Sequence, residues 1–173
     1  FGGENLVEIN FQNNKIKIIN LFPNLKRLMA DNNKIKILPS FPQLFSVNIS
    51  YNNLKEIHNQ PVLKKLIANN NEIFMLGQMP HLELIDLSYN KIKNIDIPKT
   101  AEYISVHFNP IIKIELKNDL LKNIKELQID FETYTNFYKK YYNYLNSVHV
   151  KTSNEKLKYL LLKLNNIFDE KTL

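Results

Sequence analysis

Ser88, His107 and Asp130 place a hydroxyl, an imidazole and a carboxylate at steps of 19 and 23 residues along the chain. These are the groups that a nucleophilic hydrolase combines. Such a site also needs donors around a developing oxyanion and a pocket for substrate. The chain has three Gly and none of them adjoins these residues, so no Gly-rich turn is at hand to build either. A row of surface polar groups is the simpler reading, and a non-enzymatic protein is expected. The remaining histidines, His58, His81 and His149, lie on separate segments without metal-site spacing, and Cys is absent. With no calcium-loop or phosphate-loop motif either, neither a metal nor a cofactor is expected.

The other chemistry on offer is charge. The formal net charge of +6 comes almost entirely from Lys, with Arg27 the single Arg. Lys15 and Lys17, Lys34 and Lys36, Lys55, then Lys91 and Lys93 form a ladder that an acidic partner or a nucleic acid would relieve of its self-repulsion. Phosphate recognition leans on the bidentate Arg fork, so nucleic acid is disfavoured as a partner. A solvated, aggregation-resistant edge is the plain alternative.

Both features presuppose elements that repeat with one period, and the sequence has them. Asn14, Asn33, Asn52, Asn71, Asn90 and Asn109 recur every 19 residues. With 26 Asn in 173 residues, five further Asn in one frame have chance odds on the order of one in ten thousand. Apolar residues keep the same frame: Leu6, Ile9, Phe11, Ile16 and Ile19 in the first repeat, Leu25, Leu28, Ala30, Ile35 and Leu38 in the second, and so on to Ala101, Ile104, Val106, Ile111 and Ile114. Pro23, Pro42, Pro61 and Pro80 hold register with them. Apolar residues spaced by two, such as Ile9 and Phe11, have strand periodicity and point to one face. Nineteen residues leave too little room for a full return helix, and Pro suits an extended return. Each repeat can bury its apolar side chains only against its neighbours, which predicts a solenoid with one long parallel sheet. The recurring Asn is expected to satisfy backbone groups left open where the strand turns, as a structural ladder.

The pattern L-x-x-L-x-L-x-x-N-x-I over residues 6 to 114 resembles the leucine-rich-repeat superfamily. That resemblance implies an α/β repeat fold: a leucine-rich-repeat solenoid with a parallel β-sheet on its concave face, short irregular or 3-10 convex segments, and helices in the C-terminal repeats and cap. In length the repeats are nearest to the short ones of bacterial secreted effectors, which also carry Pro before the strand. Repeats of the kind found in a phosphatase regulatory subunit are usually longer. Extracellular members usually seal their ends with Cys-rich caps, so an intracellular, cytoplasmic site of action is expected.

The regular 19-residue repeats are expected over 1–115, and longer terminal repeats with a helical cap over 116–173 of the same solenoid. Ile124, Leu127 and Ile129 restate the frame after 23 residues, and Leu145, Val148 and Val150 after 21 more. Tyr134, Phe137, Tyr138, Tyr141, Tyr142 and Leu145 follow a helical stripe. Residues 154–168, capped by Ser153 or Asn154, read as a second helix covering the end of the core. At the other end the first repeat starts at Leu6, so its open edge is expected to be covered by preceding residues or by a partner.

On such a solenoid, function belongs to the outward strand positions. The candidate partner-binding residues are Arg27, Met29, Asp31, Asn48, Lys65, Ile67, Leu84, Asp86, Tyr103 and His107. Met29, Ile67, Leu84 and Tyr103 are apolar where the frame calls for exposure, and polar groups surround them, which is the make-up of a protein contact site. One step beyond the strands, Tyr51, Tyr89, Phe108 and Phe131 are expected to face partly inward. The partner expected is another protein. No apolar run approaches the length of a membrane span, so no membrane insertion is expected.

Overall fold

The alternation of outward and inward residues in Glu8-Ile9-Asn10 is restated every 19 residues, and each restatement forms a short strand buried at its middle residue. The computed structural model describes Gly3, residues 5–116 and residues 123–129. In chain order the strands are β1 (Glu8–Asn10), β2 (Arg27–Met29), β3 (Ile37–Leu38), β4 (Ser46–Asn48), β5 (Glu56–Ile57), β6 (Lys65–Ile67), β7 (Met75–Leu76), β8 (Leu84–Asp86), β9 (Asn94–Ile97), β10 (Tyr103–Ser105), β11 (Lys113–Leu116) and β12 (Glu126–Gln128). Strands β1, β2, β4, β6, β8, β10 and β12 make one parallel sheet in that order. The register never slips: Leu28 sits opposite Val47, Val47 opposite Leu66, and Leu66 opposite Ile85. Strand β12 joins opposite β10 across the 23-residue step, with Leu127 against Ile104.

The return segments differ from the irregular or 3-10 expectation. Among the described residues they form short parallel strands of their own, β3-β5-β7 in one small sheet and β9-β11 in another. Residue pairs such as Ile37-Leu38 and Met75-Leu76 in these strands send one side chain outward and one toward the core. A turn this short has to stay extended on both sides, and stacked extended segments then hydrogen-bond. No helix occurs among the described residues, and none there is long and apolar enough to cross a membrane. The two helices expected over 134–145 and 154–168 lie outside the described residues.

The core is a set of columns running the length of the stack. Leu25, Leu44 and Leu63 are fully buried in one, Leu28, Val47 and Leu66 in the next, Ile35, Leu54 and Ile73 in a third. One column breaks the apolar rule. Phe41 and Met79 flank Gln60, which is completely buried. The Gln60 amide donates from Nε2 to Pro39 O at 2.7 Å, while its Oε1 accepts from Phe41 N at 3.2 Å. The side chain therefore closes backbone groups that the extended return leaves open. Gln60→Leu keeps the volume and removes both bonds, so it is expected to cost about 2 kcal/mol in urea unfolding. Unchanged stability would mean that Pro39 and Phe41 find other partners.

The strands end in a two-residue device. Asn13, Asn32, Tyr51, Asn70, Tyr89 and Phe108 all adopt left-handed backbone, with φ between 53° and 57°. That reversal drives the following Asn side chain into the stack. Asn33, Asn52, Asn90 and Asn109 are buried, Asn71 half-buried and Asn14 exposed. In every case from Asn33 to Asn109, Nδ2 donates to carbonyls two and three residues back and to one in the previous turn, and Oδ1 accepts an N–H of that previous turn. Asn14 bonds only Phe11 O and Gln12 O among the described residues, because no described turn packs ahead of it.

Candidate functional site

Strand pairing places the candidate contact residues in two columns on the outer face of the seven-stranded sheet. Arg27, Ser46, Lys65, Leu84, Tyr103 and Glu126 stand opposite one another in the first. Met29, Asn48, Ile67, Asp86, Ser105 and Gln128 do so in the second. Asp31 and His107 extend the same face by one alternation. Neighbouring strands lie about 4.8 Å apart, so each side chain is shielded by those on both sides. That spacing explains why Met29, Ile67 and Leu84 are half-buried and not fully exposed, whereas Tyr103 remains 40% exposed.

The polar members hold one another. Asp31 accepts from Gln12 Nε2 at 2.6 Å and from Asn48 Nδ2 at 3.2 Å. Three turns on, Asp86 accepts from Asn69 Nδ2 at 2.6 Å and from the Ser88 hydroxyl at 2.7 Å. Arg27 reaches Glu8 at 3.4 Å with both side chains largely exposed, a pair of small energetic weight. Lys125 pairs with Glu102 at 2.6 Å and stands 5.6 Å from the Tyr103 ring centroid. The hydrogen bond to Glu102 raises the Lys125 ammonium above its ordinary range. Side chains tied to their neighbours lose little further freedom on binding, so the surface is pre-ordered.

The hydrolase geometry does not assemble from Ser88. Its hydroxyl is buried and donates to Asp86, while the His107 ring meets Ser105 Oγ at 2.9 Å through Nδ1. Asp130 lies outside the described residues. Ser105 and His107 form the closest approach to a nucleophile and base among the described residues, yet Ser105 Oγ also donates to Gln128 Oε1 at 3.2 Å and sits at the end of β10 on an open sheet. Among the described residues no group of three His, Cys, Asp or Glu is placed to hold a metal ion.

The inward orientation expected for the aromatic residues beyond the strands is corrected. Tyr51, Tyr89 and Phe108 are 57%, 46% and 57% exposed. Left-handed backbone turns each side chain off the core while the next Asn goes in. Tyr89 stacks on Phe108 with ring centroids 4.3 Å apart, and the His107 ring meets both edge-on. Phe131 lies outside the described residues.

A doubled period was missed by a reading fixed on 19 residues. Residues 27–33 read R-L-M-A-D-N-N and residues 65–71 read K-L-I-A-N-N-N, while N-I-S-Y-N at 48–52 returns as D-L-S-Y-N at 86–90. The outer face thus alternates a cation and apolar turn with an amide or carboxylate and Tyr turn. The core alternates with it, Ala30 and Ala68 against Ile49 and Leu87. Comparing residues 38 apart would have shown this from sequence.

No family model matches the chain, and no curated protein matches it. Among solved structures the chain is similar to YopM from Yersinia enterocolitica WA-314, with a TM-score of 0.64 and 28% identity over 72% of this chain. The chain covers 29% of the length of that one.

Proposed function

Because this chain is a leucine-rich-repeat protein, we propose that it is a non-enzymatic binding module that holds another protein on the outer face of its seven-stranded sheet. One observation carries the reading: Met29, Ile67, Leu84 and Tyr103 are apolar at outward strand positions, on a sheet whose surrounding Asp31, Asn48 and Asp86 are already fixed by hydrogen bonds. Apolar anchors in a pre-ordered polar rim supply affinity and orientation together. Arg27, Lys65 and His107 complete the rim. Its action is intracellular, as one part of a larger assembly. The 19-residue repeat length favours one particular version, the recognition part of a secreted effector.

Affinity capture with the full chain tests the proposal. A protein recovered by wild type should bind the Met29→Glu/Ile67→Glu variant at least about thirtyfold more weakly, since each carboxylate enters the centre of the contact. Capture that survives the double change, and fades only as salt is raised, would instead indicate a charge-led partner such as nucleic acid.

A further inference from the structure

The chain's net charge falls within three turns, and five of the seven cations there follow the Asn ladder. Residues 13–55 contain seven of the 23 Lys and Arg but one of the 17 acidic residues, so the whole formal charge of +6 belongs to this stretch and the rest of the chain is neutral. That single acid, Asp31, is occupied on the other face by Gln12 and Asn48. Lys15, Lys17, Lys34, Lys36 and Lys55 follow the Asn ladder, and all five are exposed. Lys15 and Lys34 repeat one position in consecutive turns; Lys17, Lys36 and Lys55 repeat another. Turns stack about 4.8 Å apart, so the ammonium groups line a ridge, with Glu56 of the third turn in register beside it, opposite Ile37.

The same ladder is compensated further along. Lys91 pairs with Glu72 at 3.0 Å, and the hydrogen bond to Lys91 holds the Glu72 carboxyl below its ordinary range, with a smaller contribution from Lys55. Among the described residues Lys15, Lys17, Lys34 and Lys36 make no ion pair. Beside them two apolar side chains face solvent, Ile18 at 80% and Ile37 at 48% exposure. A polyphosphate backbone has no use for these, and a Lys ridge lacks the fork that reads phosphate bidentately. Carboxylates interspersed with apolar side chains match both halves of the surface.

We propose that the Lys15–Lys55 ridge is a second docking surface, separate from the outer face of the main sheet, and that its occupant is an acidic segment of a partner protein bearing aliphatic side chains. Charge complementarity sets the occupant's composition, and Ile18 with Ile37 anchors its apolar residues. The attraction is long-ranged and chiefly speeds encounter, weakening with ionic strength.

The test is fluorescence anisotropy with the full chain and a labelled dodecapeptide of Glu-Glu-Leu repeats, against the same peptide carrying Gln for Glu. The acidic peptide should bind at least about tenfold more tightly, and Lys17→Glu/Lys36→Glu should lose at least about tenfold of that affinity. Ile18→Ser/Ile37→Ser should lose a smaller factor, and Met29→Glu/Ile67→Glu should lose none. All substituted side chains are at least partly solvent-facing, and an unchanged urea midpoint verifies each fold. Equal binding of the two peptides, or indifference to the Lys reversal, overturns the proposal. So does equally tight binding of oligothymidylate or of phosphatidylserine-rich vesicles, which would make the ridge a general polyanion surface. Loss on Met29→Glu/Ile67→Glu alone would move the peptide to the main sheet, against the ridge.

Discussion

Asn52→Ala is expected to lower the folding free energy by about 3 kcal/mol in urea unfolding, far beyond a typical surface change. The cost does not come evenly from the four bonds of the side chain. Its Nδ2 serves Ala30 O, Ile49 O and Ser50 O at 2.9 to 3.1 Å. Each of those carbonyls has another donor: Asn33 for Ala30, Asn71 for Ile49, and the Asn32 N–H for Ser50. The Ile35 N–H has Oδ1 of Asn52 at 2.9 Å as its partner, and Ile35 is fully buried. Leaving that donor unpaired accounts for most of the loss, and the space vacated by the amide for the rest. Asn14→Ala is the contrast. That side chain is exposed and bonds carbonyls of its own turn alone among the described residues, so under about 1 kcal/mol is expected. Equal losses at the two positions would show that the bond between turns is not what the ladder contributes.

The same residues show what could be read from sequence. Asn52 was legible because its role is local and periodic: the Asn recurs wherever the strand must turn, and composition cannot produce six in one frame. The core columns were legible for the same reason. The face that carries Arg27, Met29, Lys65 and Ile67 followed from strand alternation, yet their degree of exposure did not, because it depends on neighbours 19 residues away whose side chains differ in size. The bonds from Gln12 to Asp31 to Asn48 belong to this second kind. Left-handed φ at Tyr51, Tyr89 and Phe108 was hidden by residue type, since a bulky aromatic seldom signals that conformation, whereas Asn13, Asn32 and Asn70 in the same column do. Gln60 interrupts an apolar column, and its two backbone partners appear only when the return segment is seen to be extended.

Gly77 supplies the other large effect, and its cause is contact between turns, with no special dihedral angle involved. A Cβ built there would overlap Asn59 N and lie 2.6 Å from His58 C and 2.7 Å from Asn59 Oδ1. Two of those three atoms are backbone, so no rotamer change relieves the overlap. The approach is held by short bonds on either side: Gly77 N donates to Ile57 O at 2.7 Å, and Gln78 N donates to Asn59 Oδ1 at 2.7 Å. Gly77→Ala must therefore push one turn off the previous one and stretch both bonds. A loss of about 3 kcal/mol or more is expected, at the upper end for an added methyl in a packed site. Asp96, one turn further on in the same position, already carries a side chain and is exposed. Asp96→Ala should change stability by no more than about 0.5 kcal/mol, as ordinary surface substitutions do. A Gly77→Ala protein with the wild-type urea midpoint would mean that these two turns are not pressed together, and the stacking of β7 on β5 would have to be redrawn.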